Sequence, residues 1–347
     1  MKHLMLFRRL FILLFFSCAQ QVPLPNAQSG LLSSPNQFKP QIQHVEKSVV
    51  GIINNRNYKI ETFHYLYESG KLLPDEKSPV GFKLRADIGR NGITISKEEQ
   101  GFSGGGLIVS RGLDDHRYVI LTSSHLVAPS DTVNIFYRDH RGEPTDVVFQ
   151  RRIITDSQIL VRNSGNWTAL AEVAAHDSKS DIAIIIAKTE RHLGMPFTNP
   201  LDFDAKPDWG DWVFLFGYPG EIKQMTGGWV SQSPYPGTFS VDAVVRYGYS
   251  GGPVFSISSS EGKLGLVGVI KGMPGSNIEY IAPSKTMPPG YSLNLEDLEN
   301  LSVKSQTLVN FGTAYCVHPE RIKRFFKLSE PTLLSFGIIL PKKIYGR

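Results

Sequence analysis

Gly248-Tyr249-Ser250-Gly251-Gly252-Pro253 is the stretch on which the reading of this chain turns. A serine that attacks a carbonyl has to stand on a tight turn, with backbone N–H groups facing the oxygen that becomes charged. Glycines permit both, because they adopt φ/ψ values closed to other residues and leave the neighbouring amides unobstructed. Val254 to Ile257 reads as a strand directly afterwards, so the plain alternative is a Gly-Ser loop entering a sheet. Two other segments give the first its weight.

Upstream, Tyr118-Val119-Ile120-Leu121-Thr122-Ser123-Ser124-His125 is an apolar strand that ends in small hydroxyl residues and then delivers a histidine. A general base has to reach its nucleophile within roughly 2.6–3.2 Å, and the end of a rigid strand suits that task. A histidine alone at such an edge is otherwise a structural residue. The third segment is His176-Asp177-Ser178-Lys179-Ser180-Asp181-Ile182-Ala183-Ile184-Ile185. Asp181 opens a wholly apolar strand, an expensive place for a carboxylate unless it is hydrogen-bonded. Orienting an imidazole and stabilising its charged form supplies such a bond. The alternatives are a simple turn residue, or Asp177 as the rival carboxylate one turn back in polar sequence.

Working outward, short apolar runs alternate with turn residues along the chain: 48–53, 107–109, 118–121, 133–137, 147–154, 169–174 and 182–187 in one half. After a Pro-rich joint over 195–207 come 212–217, 228–231, 240–245, 254–257, 264–270 and 313–317. Many short strands with little helical periodicity predict an all-β barrel or sandwich. One helix is predicted near the C-terminus. Pro319 stands at its first position, and Ile322, Phe325 and Phe326 form an apolar stripe. The organisation read from the sequence is a leader over 1–18, a linker over 19–44 and a first β unit over 45–194 with an insertion at 54–100. A second β unit follows over 195–328 with an insertion at 273–305 and the helix, then a basic tail over 329–347.

Composition narrows the function classes. Of 347 residues, 41% are hydrophobic and 20% charged, which excludes disordered and collagen-like chains. The formal charge of +5 matches the excess in His318–Arg347, which holds seven Lys/Arg against two Asp/Glu. Discounting Lys2, Arg8 and Arg9 in the leader, the body is net acidic, and nucleic acid is not a predicted partner. Only Cys18 and Cys316 are present, so a disulfide scaffold is excluded, and Cys316 reads as a buried, inert thiol. His116, His140 and His176 lie in turns and form no metal-ligand cluster. No phosphate-cradling Gly loop precedes a helix, so no cofactor is predicted.

The leader runs from basic Met1–Arg9 into seven apolar residues, Leu10–Phe16, far short of the ~20 that span a bilayer. With small residues at Ser17-Cys18-Ala19, it reads as a secretory signal. Two outcomes stay open there: lipidation of Cys18, or plain cleavage near Ala19. A lipid chain and the basic tail together would give contact with a membrane surface.

Taken together, the three segments resemble the trypsin-like serine proteases of chymotrypsin fold, with the closest likeness to the bacterial HtrA/Deg branch. Gly210-Asp211-Trp212-Val213, Gly217-Tyr218-Pro219, Gly227-Gly228-Trp229-Val230-Ser231 and Gly312-Thr313-Ala314 follow the same pattern. The resemblance implies an all-β fold of two six-stranded antiparallel β-barrels with a C-terminal helix, acting on polypeptide substrates as an exported endopeptidase. It implies that Ser250 attacks the peptide carbonyl, His125 relays the proton, Asp181 orients the imidazole, and the amides of Gly248 and Ser250 bind the oxyanion. It also implies that substrate lies as an added strand along Ile270, Lys271 and Gly272. The apolar Val244, six residues before the serine, is then expected at the pocket base, with Thr313 and Ala314 beside it and small or medium aliphatic side chains preferred. The remainder after the helix is too short for the PDZ domain common in that branch. The competing expectation is a protease fold kept as a catalytically silent envelope chaperone or binding protein. Oligomeric state is not legible.

Overall fold

Burial along the first long strand has a period of two. Val50, Ile52, Asn54, Arg56, Tyr58 and Ile60 all face inward, while residues between them such as Asn55, Asn57 and Lys59 are partly or fully exposed. That alternation is what a half-buried sheet demands. It continues well past Ile53, where the sequence reading placed an insertion. The computed structural model describes residues 38–112, 116–139, 143–165, 167–199, 201, 206–257, 263–283 and 301–341. The expected leader over 1–18, its Cys18, and most of the linker lie outside them. Within the remainder of the linker, Lys39–Val45 forms a short helix, α1.

The first barrel is built from β1 (Val49–Phe63), β4 (Ile93–Arg111), β5 (Arg117–Thr122), β7 (Pro144–Arg162), β8 (Thr168–Asp177) and β9 (Ile182–Lys188), after which β6 (Thr132–Arg138) adds to the edge of β7. The order β1-β4-β5-β9-β8-β7 closes on itself because β1 also pairs with β7. Ile52, Ile108, Tyr118, Ile120, Val161, Ala183 and Ile185 fill its core.

The second barrel is closed as β10-β11-β12-β17-β14-β13. Its strands are β10 (Trp212–Gly217), β11 (Gln224–Ser231), β12 (Thr238–Asp242), β13 (Pro253–Ile257), β14 (Leu264–Gly272) and β17 (Thr313–Val317). Val213, Leu215, Val230, Phe239, Val254, Val267 and Cys316 pack inside it. Burial raises the Cys316 thiol far above its ordinary pKa, which keeps it inert. Two closed six-stranded antiparallel barrels are therefore present as expected.

Both expected insertions have structure of their own. In 54–100, β1 and β4 run on as a long antiparallel pair from Val49↔Leu107 to Phe63↔Ile93. Between their tips the chain makes a small hairpin, β2 (Tyr67–Glu68) with β3 (Lys71–Leu72), and folds back. Phe63, Tyr65 and Val148 form a satellite core there with Phe82 and Leu84. In 273–305, β15 (Gly275–Pro283) and β16 (Leu301–Val309) form a hairpin beyond the end of β14.

A one-turn helix, α2 (Ser124–Val127), follows β5, and α3 (Pro319–Ser335) follows β17. The latter runs past the expected end at 328, and Leu333, Ile338 and Leu340 are buried. The first part of the expected basic tail is thus packed chain, because its apolar residues continue the inward face of the helix. Among the described residues no helix is long and apolar enough to cross a membrane.

Candidate active site

Strands β5 and β9 are antiparallel neighbours, with Leu121 opposite Ile184 and Thr122 opposite Ala183. The C-terminal end of β5 and the N-terminal end of β9 therefore meet at the same rim of the barrel. His125 leaves one and Asp181 enters the other. The Asp181 carboxylate accepts three hydrogen bonds from one residue. The His125 backbone N–H donates to Oδ1 at 2.9 Å, and ring Nδ1 lies 2.8 Å from Oδ2 and 3.0 Å from Oδ1. Since an ionised carboxylate only accepts, this pairing assigns the proton to Nδ1 and leaves Nε2 as the basic nitrogen. The carboxylate side chain is 8% exposed and the imidazole 50%, so a buried anion orients a base that still faces solvent.

Asp181 occupies the left-handed region, at φ 58°. Aspartate tolerates that conformation better than most residues, and the bend turns its carboxylate back toward α2. The rival, Asp177, is engaged elsewhere. It accepts the Lys179 amide at 3.0 Å within its own turn. Against the upward pull of burial, hydrogen bonds from Ser180 and from the Lys179 amide hold its carboxyl below the ordinary value.

The serine turn is fixed by backbone bonds at both ends. Gly251 N–H donates to Ile270 at 2.8 Å, Ile270 N–H to Gly252 at 2.9 Å, and Tyr218 N–H to Gly248 at 2.8 Å. Gly248 and Gly251 have φ values of 103° and 77°, which other residues rarely adopt. A side chain at Gly251 would meet Thr122 Oγ1 at 2.2 Å and Ser123 N at 2.8 Å. The turn thus abuts the residues that lead into His125. Among the described residues the amides of Gly248 and Ser250 donate to no acceptor, and no hydrogen bond joins the half-buried Ser250 to the imidazole.

Beside His125 and Asp181 lies a cavity of about 440 Å³ whose wall includes Ser178, Tyr235, Lys271, Gly272, Met273 and Tyr315. Lys271 and Gly272 line this cavity, whereas Ile270 does not. It is 1% exposed, with its N–H and carbonyl both bound to the serine turn. Val244 also departs from expectation. Ala243 and Val245 on either side face the core, so alternation turns Val244 outward to 74% exposure. Ala314 is fully buried in the second core, and Thr313 beside it is half-buried at the edge of β17 opposite Asp242. The cavity residue that β17 does contribute is Tyr315.

Sequence reasoning also passed over the glycines that let the barrels touch. An added Cβ at Gly105 would stand 2.9 Å from Gly252 Cα, and one at Gly104 would stand 2.5 Å from the Ser250 carbonyl oxygen. The signal was present in Gly104-Gly105-Gly106, three glycines inside a strand, which mark a close backbone approach.

Residues 104–269 match the family model of the trypsin-like peptidase domain. The matched segment includes His125, Asp181 and Ser250. In overall structure the chain is similar to an HtrA-type protease, AlgW, with a decapeptide, at 14% identity and a TM-score of 0.44, covering 86% of this chain and 68% of that one. It is similar also to a serine endoprotease from Yersinia pestis, at 14% identity and a TM-score of 0.43, covering 84% and 66% respectively. Among curated protein sequences none matches the chain significantly.

Proposed function

We propose that this chain is an exported serine endopeptidase that cleaves polypeptides through an acyl-enzyme. The observation that carries the reading is the grip of the buried Asp181 carboxylate on His125 Nδ1 at 2.8 Å, beside a serine turn with two undonated amides. In this reading His125 Nε2 takes the Ser250 hydroxyl proton as the oxygen attacks a peptide carbonyl. Asp181 stabilises the imidazolium that results. The amides of Gly248 and Ser250 receive the oxyanion, a contribution of about 2.7–4 kcal/mol per donor to transition-state stability. The imidazolium then protonates the leaving amine. Water, deprotonated by the same nitrogen, releases the acid and restores the serine. Export is proposed on the basic-then-apolar leader over 1–18, and the mass of the mature chain tests both its removal and the lipidation of Cys18.

The competing reading, a silent protease fold that binds without turnover, draws on the missing hydrogen bond between Ser250 and His125. Active-site bonds of this kind are often long before substrate arrives and tighten only in the complex. A fluorophosphonate probe decides between the two. Covalent labelling of wild type and none of Ser250→Ala supports the peptidase, with a fall in kcat of about 10⁶-fold for that substitution. An unlabelled, folded wild type supports the silent protein.

A further inference from the structure

Arg56 is an anomaly of the first barrel. It lies on the inward face of β1, in phase with Val50, Ile52, Tyr58 and Ile60, and is 3% exposed. A buried guanidinium without a carboxylate is costly, and among the described residues no acid pairs with it. Its Nη2 donates instead to two backbone carbonyls, those of His125 at 3.0 Å and Leu126 at 2.5 Å, and its Cζ lies 4.2 Å from the centre of the Phe102 ring. Asn54, two residues earlier and fully buried, donates from Nδ2 to the same Leu126 carbonyl at 2.9 Å. Its own Oδ1 accepts from Ser157 Oγ at 2.8 Å.

These donors meet a specific need. α2 is a single turn, with the Ala128 N–H donating to Ser124 at 2.7 Å at its end, and an isolated turn of that length does not hold itself. Its last carbonyls have no partner within the helix and form the negative end of the turn, where a cation is favoured. The imidazole it carries is half exposed, so packing alone does not fix the direction of the ring. What sets it is Asp181, which holds both ring Nδ1 and the backbone N–H, together with the backbone of His125 itself, whose carbonyl is held by Arg56.

We infer that Arg56, seconded by Asn54, is a positioning residue that clamps the carbonyl side of the His125 turn and so aims the general base. The inference rests on the peptidase reading and gives the root of the 54–100 segment a task in catalysis. A base displaced by about 1 Å loses on the order of 10²-fold in rate. A residue that merely filled the end of the barrel would change stability and leave turnover per folded molecule alone.

The test uses the mature full-length chain with Arg56→Met and Arg56→Lys. Each variant is assayed for fluorophosphonate labelling rate, kcat and KM on a fluorogenic peptide, and the downfield proton resonance of His125 Nδ1–H. The expected result is that Arg56→Met lowers kcat and labelling about 10²-fold with KM within about twofold, and broadens or moves the resonance. Arg56→Lys, which still offers a cationic donor to the carbonyls, recovers most of the loss. A folded Arg56→Met with wild-type kcat and resonance overturns the inference, as does an equal loss in the Met and Lys variants. Should Arg56→Met fail to fold, Arg56→Gln decides. A fall of about tenfold in kcat at unchanged KM supports positioning, and wild-type kcat overturns it. If wild type itself does not label at Ser250, the peptidase reading falls first, whereas a labelled wild type beside an equally labelled Arg56→Met removes only the inference.

Discussion

The amide of Gly105 donates to the carbonyl oxygen of Ser250 at 2.8 Å, so the serine turn of the second barrel is bonded to β4 of the first. Nearby, the Tyr218 ring lies over Gly51, where an added Cβ would stand 2.7 Å away, and its hydroxyl donates to Val49 at 3.2 Å. Thr122 Oγ1, at the end of the strand leading to His125, donates to the Gly105 carbonyl at 2.8 Å. One glycine residue therefore bonds to the serine turn through its N–H and to the histidine strand through its carbonyl.

Gly105→Ala follows from that contact. Its Cβ would press on Gly252 Cα at 2.9 Å, and a backbone atom in a bonded turn cannot swing aside as a side-chain tip does. Overpacking of this kind costs about 1–3 kcal/mol. The variant is expected to melt earlier and, while folded, to label with fluorophosphonate more slowly than wild type. Unchanged labelling would mean that the barrels separate without disturbing the turn.

Asp181→Asn and Asp181→Ala separate chemistry from backbone strain. Asparagine tolerates the left-handed φ of 58°, so the fold survives, but its amide no longer fixes Nδ1 as the protonated nitrogen. A loss in kcat of about 10⁴-fold with little change in melting temperature is expected for Asn. Alanine adds a conformational cost on the order of 1 kcal/mol and should melt lower. Peptide hydrolysis and thermal unfolding of the two variants check both parts.

What was legible in the sequence was local. His125 and Asp181 each stand at the rim of an apolar strand, where a polar side chain needs a reason, and the glycines around Ser250 state a backbone requirement outright. What was not legible depends on partners far along the chain. Asn54 and Arg56 sit in phase with Val50 and Ile52, yet polar residues there read as the start of a solvated insertion. Their reason is a pair of carbonyls about 70 residues away. Val244 and Ala314 were placed by likeness to a family, whereas the burial of their own segments, with Ala243, Val245, Ala314 and Cys316 inward, leaves Val244 exposed and Ala314 in the core. The helix was expected to end at 328, but α3 runs on through Pro331 to Ser335.

The cavity beside His125 makes a prediction about substrate. Tyr235 and Tyr315 meet edge to face at 5.2 Å on its wall, and Tyr235 is 56% exposed, so its ring is open to a visiting side chain. Peptides that place an apolar residue there should lose that contact in Tyr235→Ala, with KM rising about tenfold and kcat unchanged. Peptides with glycine at the same place should not distinguish the two enzymes. A fall in kcat instead would move Tyr235 from binding to positioning.

His318 links stability to pH. It stands immediately before α3, edge to face with Phe239 at 6.3 Å. Burial lowers its pKa below the ordinary 6.5; Glu320 opposes the shift and Lys206 reinforces it. The native state therefore takes up a proton less readily than the unfolded chain. The stability this confers is present above about pH 6.5 and is lost as the pH falls through the lower, folded value. His318→Gln removes the titration, so melting temperatures measured between pH 8 and pH 5 should fall less steeply on the acid side than in wild type. Superimposable acid slopes would show that the ring finds a compensating partner when it is charged.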